Sequence, residues 1–133
     1  MLATLKTEEN VSIITLDDGK VNAFSPAMIA EVDLLLDQVP TDKGAVMFTG
    51  REGMFTAGFD LKVMATDPDA AVGMIKSGFK MLQRIFSFPR PVVSACSGHA
   101  IAMGAFLLCS SDYRIAAKGD FKVGANELRN NMI

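Results

Sequence analysis

Two short stretches of this 133-residue chain have the residue types to hold a developing negative charge with main-chain N–H groups. The first is Ala57-Gly58-Phe59-Asp60-Leu61, where small residues beside a strand end let the backbone approach a ligand closely. The second is Gly98-His99-Ala100-Ile101-Ala102-Met103-Gly104-Ala105, in which small residues lead from a loop into an apolar helix. A helix start exposes unpaired N–H groups and the positive end of the macrodipole. Two such donors converging on one carbonyl would form an oxyanion hole, worth roughly 3–4 kcal/mol per donor in acyl-transfer sites. Read singly, each stretch is better explained as a packing device.

Other chemistries lack their residues. There is no GK[ST] phosphate loop, no GxGxxG opening a helix and no GxSxG nucleophile turn. Cys96 and Cys109 sit in apolar contexts without CxxC spacing and read as reduced core thiols of a cytoplasmic protein. One histidine and two cysteines cannot supply a structural zinc site, so no metal is expected. Thirteen basic residues against fifteen acidic ones give a formal charge of -2, with no basic run, which argues against a nucleic-acid partner. The longest apolar stretch, Ala100 to Cys109, is far below the ~20 residues a membrane span requires. The polar, acidic start of the chain does not read as a secretory signal.

The elements that must position the two stretches follow from pattern. With 50% hydrophobic and 21% charged residues, the chain has the composition of one folded domain over residues 1–133. Val11 to Leu16, Ala45 to Thr49 and Val92 to Cys96 are short β-branched or apolar runs bounded by turn residues, hence strands. Ser25-Pro26 starts a helix that runs to Val39, with Met28, Val32, Leu35 and Val39 on one face. Met54 to Leu61 reads as a short strand running into a loop. Ala70 to Phe86 reads as a long helix carrying Met74, Phe79, Leu82 and Phe86 on a common side. Ala102 to Ser110 reads as a buried helix, Asp112 to Ala116 as a strand, and Phe121-Lys122-Val123 as a further short one. Interleaved strands and helices place the chain in the α/β class.

The combination of segments is more specific than any one of them. LDDGKVNAFS, MFTAGFDLK, FPRPVVSACSGHAIAMGAFLLCSSDYRIAA and FKVGANEL occur in this order over roughly residues 10 to 128. In these the chain resembles the crotonase (enoyl-CoA hydratase/isomerase) family. The resemblance implies a crotonase-like spiral of ββα units, an acyl-CoA thioester as ligand, a place in fatty acid metabolism, and assembly as a homo-oligomer of trimer or hexamer type. It implies no redox cofactor and no metal, since CoA arrives as part of the substrate. It also implies that the backbone N–H groups of Phe59 and Met103 form the oxyanion hole for an enolate. Lys20, Val21, Ala23 and Phe24 would lie along the CoA moiety, with the backbone around Ala23 facing the adenine. Ala57, Phe59, Asp60, Leu61 and Lys62 would line the thioester and pantetheine end, with Gly104 and Phe106 completing the substrate contacts.

Hydratases of that family use two glutamates. One lies three residues after the second oxyanion donor, where this chain has Phe106; the other matches Glu127 in GANEL. Adding water across a double bond needs a base and an acid, whereas one carboxylate suffices to move a proton between two carbons. Isomerisation by Glu127 is therefore favoured. A hydratase using Glu127 with a positioned water, and a non-catalytic acyl-CoA binder or truncated scaffold, remain the alternatives. His99 is expected to be a structural hydrogen-bonding residue and Asp60 to orient its own loop. Met64, Met74 and Met81 read as core filling rather than the lining of an acyl tunnel, Phe106 as pocket lining or core, and Asp112 and Arg114 as a pair across a strand end. Family members continue past the glutamate with an apolar-glycine stretch and a helical C-terminal half. Here Arg129-Asn130-Asn131 follows, so the resemblance covers about the N-terminal half, and exposed apolar surface with self-association is expected.

Overall fold

A computed structural model describes residues 1–127; Leu128 and Arg129-Asn130-Asn131, invoked above, lie outside the described residues. The chain opens with an antiparallel hairpin of β1 (Ala3–Glu8) and β2 (Val11–Leu16), turned at Glu9 with φ 51°. Strand β1 was not foreseen. Its sequence ATLKTE is polar, but Ala3 is buried and Leu5 packs against the core, while Lys6 and Glu8 face solvent and pair with each other at 2.5 Å. Pairing with β2, rather than apolar content, makes it a strand.

Helix α1 (Pro26–Leu36) is capped by Ser25, whose Oγ accepts the Met28 N–H at 3.1 Å, and Pro26 occupies the first turn. It ends three residues before Val39; of the expected face Met28, Val32 and Val39 are buried and Leu35 packs half-buried against the core, while Ile29 and Leu36 complete the buried side of the helix. From there the chain alternates between two sheets. Strand β3 (Ala45–Thr49) joins the first sheet and β4 (Gly53–Thr56) the second. Strands β5 (Val92–Cys96) and β6 (Gly98–Ile101) repeat the step, and β7 (Tyr113–Ala116) and β8 (Val123–Gly124) repeat it again. The first sheet has the order β1-β2-β3-β5-β7 and the second β4-β6-β8; every pairing after the β1–β2 hairpin is parallel. Helices α2 (Leu61–Thr66) and α3 (Pro68–Phe86) follow β4, and α4 (Met103–Ser110) follows β6. After the β1–β2 hairpin and α1, which serve the first sheet, the turns β3-β4 and β5-β6 each give one strand to each sheet and then helix, which is the ββα spiral. Strand β6 was expected to be a loop; parallel pairing with β4, through Gly53↔Gly98 and Met54↔His99, makes it a strand.

The core fills the space between sheets and helices with Ile14, Leu16, Phe24, Met28, Val46, Phe48, Phe55, Met74, Met81, Ile85 and Met103, all at most 1% exposed. Helix α3 presents Met74, Gly78, Met81, Leu82 and Ile85 to it. The expected face is corrected there: Phe79 is half exposed and Phe86 largely exposed, because the inward stripe is rotated toward Gly78. Cys96 is buried as read, but Cys109 is exposed, on the outer side of α4. Asp112 and Arg114 do not pair. Asp112 Oδ2 accepts the Val92 N–H at 2.7 Å, and Arg114 Nη1 donates to the carbonyls of Leu108 (3.0 Å) and Ser111 (2.6 Å), so each closes a different strand junction. All four residues of β7 are exposed at the edge of the larger sheet. Among the described residues no helix is long and apolar enough to cross a membrane.

Candidate active site

The second sheet delivers both candidate donors to one place. Strand β4 ends at Thr56, and the chain turns through Gly58, whose φ of 91° lies in the left-handed region open to glycine. A Cβ at Gly58 would sit 2.8 Å from the Ile101 carbonyl oxygen, 2.9 Å from Ala102 Cβ and 3.2 Å from Met103 N. The two loops therefore meet backbone to backbone, and only glycine allows the approach.

The direction of each N–H is fixed by the carbonyl of its own peptide, because in a planar trans peptide the C=O and N–H point oppositely. The Gly58 carbonyl accepts the Phe24 N–H at 2.8 Å, and the Phe24 carbonyl accepts the Asp60 N–H at 3.3 Å, a one-residue parallel bridge. The N–H of Phe59 is thereby turned away from Phe24. The Ala102 carbonyl accepts the N–H groups of Ala105 (2.9 Å) and Phe106 (3.3 Å), so it points along α4 and the Met103 N–H points out of the helix N-terminus. No side chain caps α4. Among the hydrogen bonds of the described residues, neither the Phe59 nor the Met103 N–H has an acceptor. Ala102 itself sits at φ 53°, ψ -117°, a strained conformation for a residue with a Cβ and of a kind that costs of order 1–3 kcal/mol.

A buried relay holds the first loop. Thr56 Oγ donates to the Asn22 carbonyl at 2.6 Å and accepts the Gly58 N–H at 3.1 Å; both residues are fully buried. The Asn22 side chain donates to the carbonyls of Leu16 (2.9 Å) and Phe55 (3.1 Å) and accepts the Asp18 N–H (3.0 Å). Sequence reasoning missed both residues. The available signal was an asparagine, tolerant of positive φ, three residues after the turn glycine Gly19; Asn22 has φ 52°.

Beside the meeting point lies a cavity of about 730 Å³, within the range of small-molecule sites. Its walls include Ala57, Phe59, Leu61, Phe106 and Glu127 from the sequence-derived set. They also include Met64, Ile75, Phe79, Ile101, Ala102 and Asn126, which were not assigned to it or, for Met64, were read as core. Met74 and Met81 are core, as expected. Glu127 is half-buried at the cavity edge beside Asn126. Phe106, left open between pocket and core, is a wall residue. The Phe59 ring lies against Gly78, where a Cβ would come within 2.5 Å of its Cε1.

Other members of the expected set fall outside the cavity. The Phe24 ring is fully buried and both its backbone polar groups are engaged, so its expected contact along the CoA moiety is withdrawn. Gly104 faces β4, where a Cβ would lie 2.8 Å from Thr56 Cγ2; it is a packing glycine rather than a substrate contact. Asp60 caps α2, its Oδ1 accepting the Lys62 N–H at 2.8 Å, so it orients its loop and, with Lys62, lies off the cavity wall. Met103 is buried, and only its N–H is directed outward. Lys20 and Val21 are exposed and Ala23 is half-buried on the loop pinned by Asp18, whose carboxylate accepts the N–H groups of Lys20, Asn22 and Ala23 at 2.7, 2.9 and 3.3 Å. His99 is structural: its Nδ1 accepts the Lys122 N–H at 2.9 Å and its ring meets Phe121 edge-on.

Comparison with known proteins gives a consistent result. A family model described as enoyl-CoA hydratase/isomerase matches residues 6–130. A "Probable enoyl-CoA hydratase" of Bacillus subtilis is 31% identical over 98% of this chain and 52% of its own length. "Enoyl-CoA delta isomerase 3" of Arabidopsis thaliana is 32% identical over 84% of this chain and 50% of its own. A solved enoyl-CoA hydratase/isomerase family protein from Pseudomonas syringae superposes with a TM-score of 0.96 at 42% identity, over 99% of this chain and 57% of that one. The chain spans about half the length of the curated relatives it matches.

Proposed function

This chain belongs to the enoyl-CoA hydratase/isomerase family, and from that premise we propose that it binds an acyl-CoA thioester and shifts a double bond along the acyl chain with one carboxylate. The thioester oxygen sits between the N–H groups of Phe59 and Met103. Glu127 removes a proton from C2 of a 3-enoyl thioester, and the electron pair moves into a dienolate whose charge rests on the thioester oxygen. The same carboxyl returns the proton to C4, giving the 2-enoyl isomer, with no net gain or loss of atoms. The charge that develops on oxygen is where preorganised donors lower the barrier most.

The observation that carries this reading is the pair of outward-turned N–H groups at the mouth of an apolar cavity edged by one glutamate. Phe106 supports isomerisation over hydration, since an aromatic ring occupies the cavity wall where a second carboxylate would hold water. CoA enters as part of the substrate, and neither a metal nor a redox cofactor takes part in the scheme. Self-association accompanies it, supported by the exposed Phe86, Tyr113 and Ile115. The test is Glu127→Gln, assayed for 3-to-2 isomerisation, for hydration of a short enoyl-CoA and for acyl-CoA binding. Loss of isomerisation with binding retained is the expected outcome; an unchanged rate removes Glu127 from the mechanism, and hydration exceeding isomerisation in the unaltered chain overturns the single-carboxylate reading.

A further inference from the structure

The cavity beside the two amides does not stand alone. A shallower groove of about 390 Å³ runs along the outer side of α3 and α4, lined by Phe79, Leu82, Phe86, Phe106, Cys109 and neighbouring polar residues. Phe79 and Phe106 line both spaces. Their rings face each other with centroids 6.0 Å apart, and Phe79 also meets Phe59 at 6.3 Å. Three aromatic rings thus stand in file from the oxyanion loop to the groove, and the partition between cavity and groove is the Phe79–Phe106 pair.

The two rings differ in how they are held. Phe106 belongs to α4, the helix whose first N–H is a candidate donor, and is half-buried. Phe79 is on the solvent-facing flank of α3, is half exposed, and has Gly78 beside it in sequence packed on Phe59. Its side chain lies outside the α3 core stripe of Met74, Gly78, Met81, Leu82 and Ile85. Removing that ring opens the partition without opening the core.

We propose that Phe79, closing against Phe106, is the stop that sets the length of acyl chain this site accepts. The proposal rests on the acyl-CoA reading above and adds to it a specificity residue. An acyl tail with its thioester at the Phe59 and Met103 amides extends along Ile75 and Met64 until it meets the two rings. Each methylene buried before that point strengthens binding about fourfold, and each one beyond it adds nothing. With Phe79 cut back, the tail continues into the groove past Leu82 toward Cys109.

The test measures dissociation constants of the full chain for saturated acyl-CoAs from C4 to C16, for the unaltered protein, Phe79→Ala and Phe86→Ala. Phe86 lines the groove alone and controls for general loss of apolar surface. The expected result is an affinity that rises and then levels off in the unaltered chain and in Phe86→Ala, and that continues to rise in Phe79→Ala, by at least tenfold over the first few carbons past the plateau. Cys109 in Phe79→Ala is then shielded from alkylation by the long acyl-CoA and not by the short one. Phe79→Trp, which thickens the partition and keeps an aromatic ring on α3, brings the plateau to a shorter chain and serves if the alanine variant misfolds. A plateau at the same length in all variants, or none through C16 in the unaltered chain, overturns the stop while leaving the acyl-CoA reading intact. No binding of any acyl-CoA overturns that reading, and the stop with it.

Discussion

Replacing Thr56 by valine removes one hydroxyl and keeps the shape of the side chain, which isolates the relay behind the Phe59 amide. The hydroxyl makes two bonds, to the Asn22 carbonyl at 2.6 Å and from the Gly58 N–H at 3.1 Å. Asn22 and Thr56 are fully buried, so the groups left behind have no water to turn to. A buried donor or acceptor stripped of its partner costs about 1–3 kcal/mol. Two such groups, with some local relaxation, make a loss of roughly 2–4 kcal/mol. For 133 residues the unfolding entropy near the midpoint is about 280 cal/mol/K, so the melting temperature falls by roughly 7–14 °C. Thr56→Ser is the control. It keeps the hydroxyl and gives up only the Cγ2 methyl that packs against Gly104, a loss of about 1 kcal/mol. Thermal unfolding followed by circular dichroism at equal protein concentration reads both. If the valine variant melts no lower than the serine variant, the relay carries no weight, and the account of how Gly58 is held fails.

The remaining predictions concern the second donor and the thiols. Ala102→Gly releases the strain at φ 53°, ψ -117°, partly offset by the greater freedom of glycine when unfolded, so stability rises by up to about 1–2 kcal/mol; a loss of 1 kcal/mol in chemical denaturation refutes the strain. Met103→Pro deletes the first N–H of α4 at a position where proline is tolerated. It lowers isomerisation by about 100- to 1000-fold with the fold retained, and a much smaller loss removes Met103 from the oxyanion site. Under native conditions an alkylating reagent modifies the exposed Cys109 and spares Cys96, whose thiol is pushed above its ordinary value by burial; equal labelling contradicts this. Since Cys96 ionises more readily in the unfolded chain, its contribution to stability is whole below the free-thiol pKa of about 8.5 and is lost as pH rises toward the folded value. Cys96→Ser flattens that alkaline decline.

What could be read from the sequence follows the range of the interactions involved. Strands β2, β3 and β5 are β-branched runs between turns and were legible to the residue, as was the start of α1 from Ser25-Pro26. Strands β1 and β6 were not, since ATLKTE and GHAI become strands only through partners elsewhere in the chain. The same limit explains the misread face of α3: phenylalanine is apolar wherever it stands, and nothing local says that Gly78, rather than Phe79, is buried on the inward stripe. At the site, Gly58 and the small residues before Met103 were visible because close approach leaves a trace in side-chain size. Asn22 and Thr56 act through hydrogen bonds to main-chain groups and leave no such trace; Phe79, Ile75 and Asn126 reach the cavity only when α3 and the final described segment fold against α4.

In the proposed site the two donors come from loops on successive turns of the spiral rather than from one loop. Within a single loop, neighbouring N–H groups diverge or are taken up by the turn itself, as the Asp18 carboxylate takes those of Lys20, Asn22 and Ala23. Here each donor is freed because the carbonyl of its own peptide is committed elsewhere, that of Gly58 to Phe24 in a one-residue bridge and that of Ala102 to the first turn of α4. Neither commitment involves the other donor, so the pair can face one point without competing for acceptors. The strain at Ala102 is the local cost of swinging the chain from β6 into α4 sharply enough to bring Met103 N against Gly58. Parallel pairing of β4 with β6 then holds the two turns in register, which places the spacing of the donors under control of the sheet rather than of either loop.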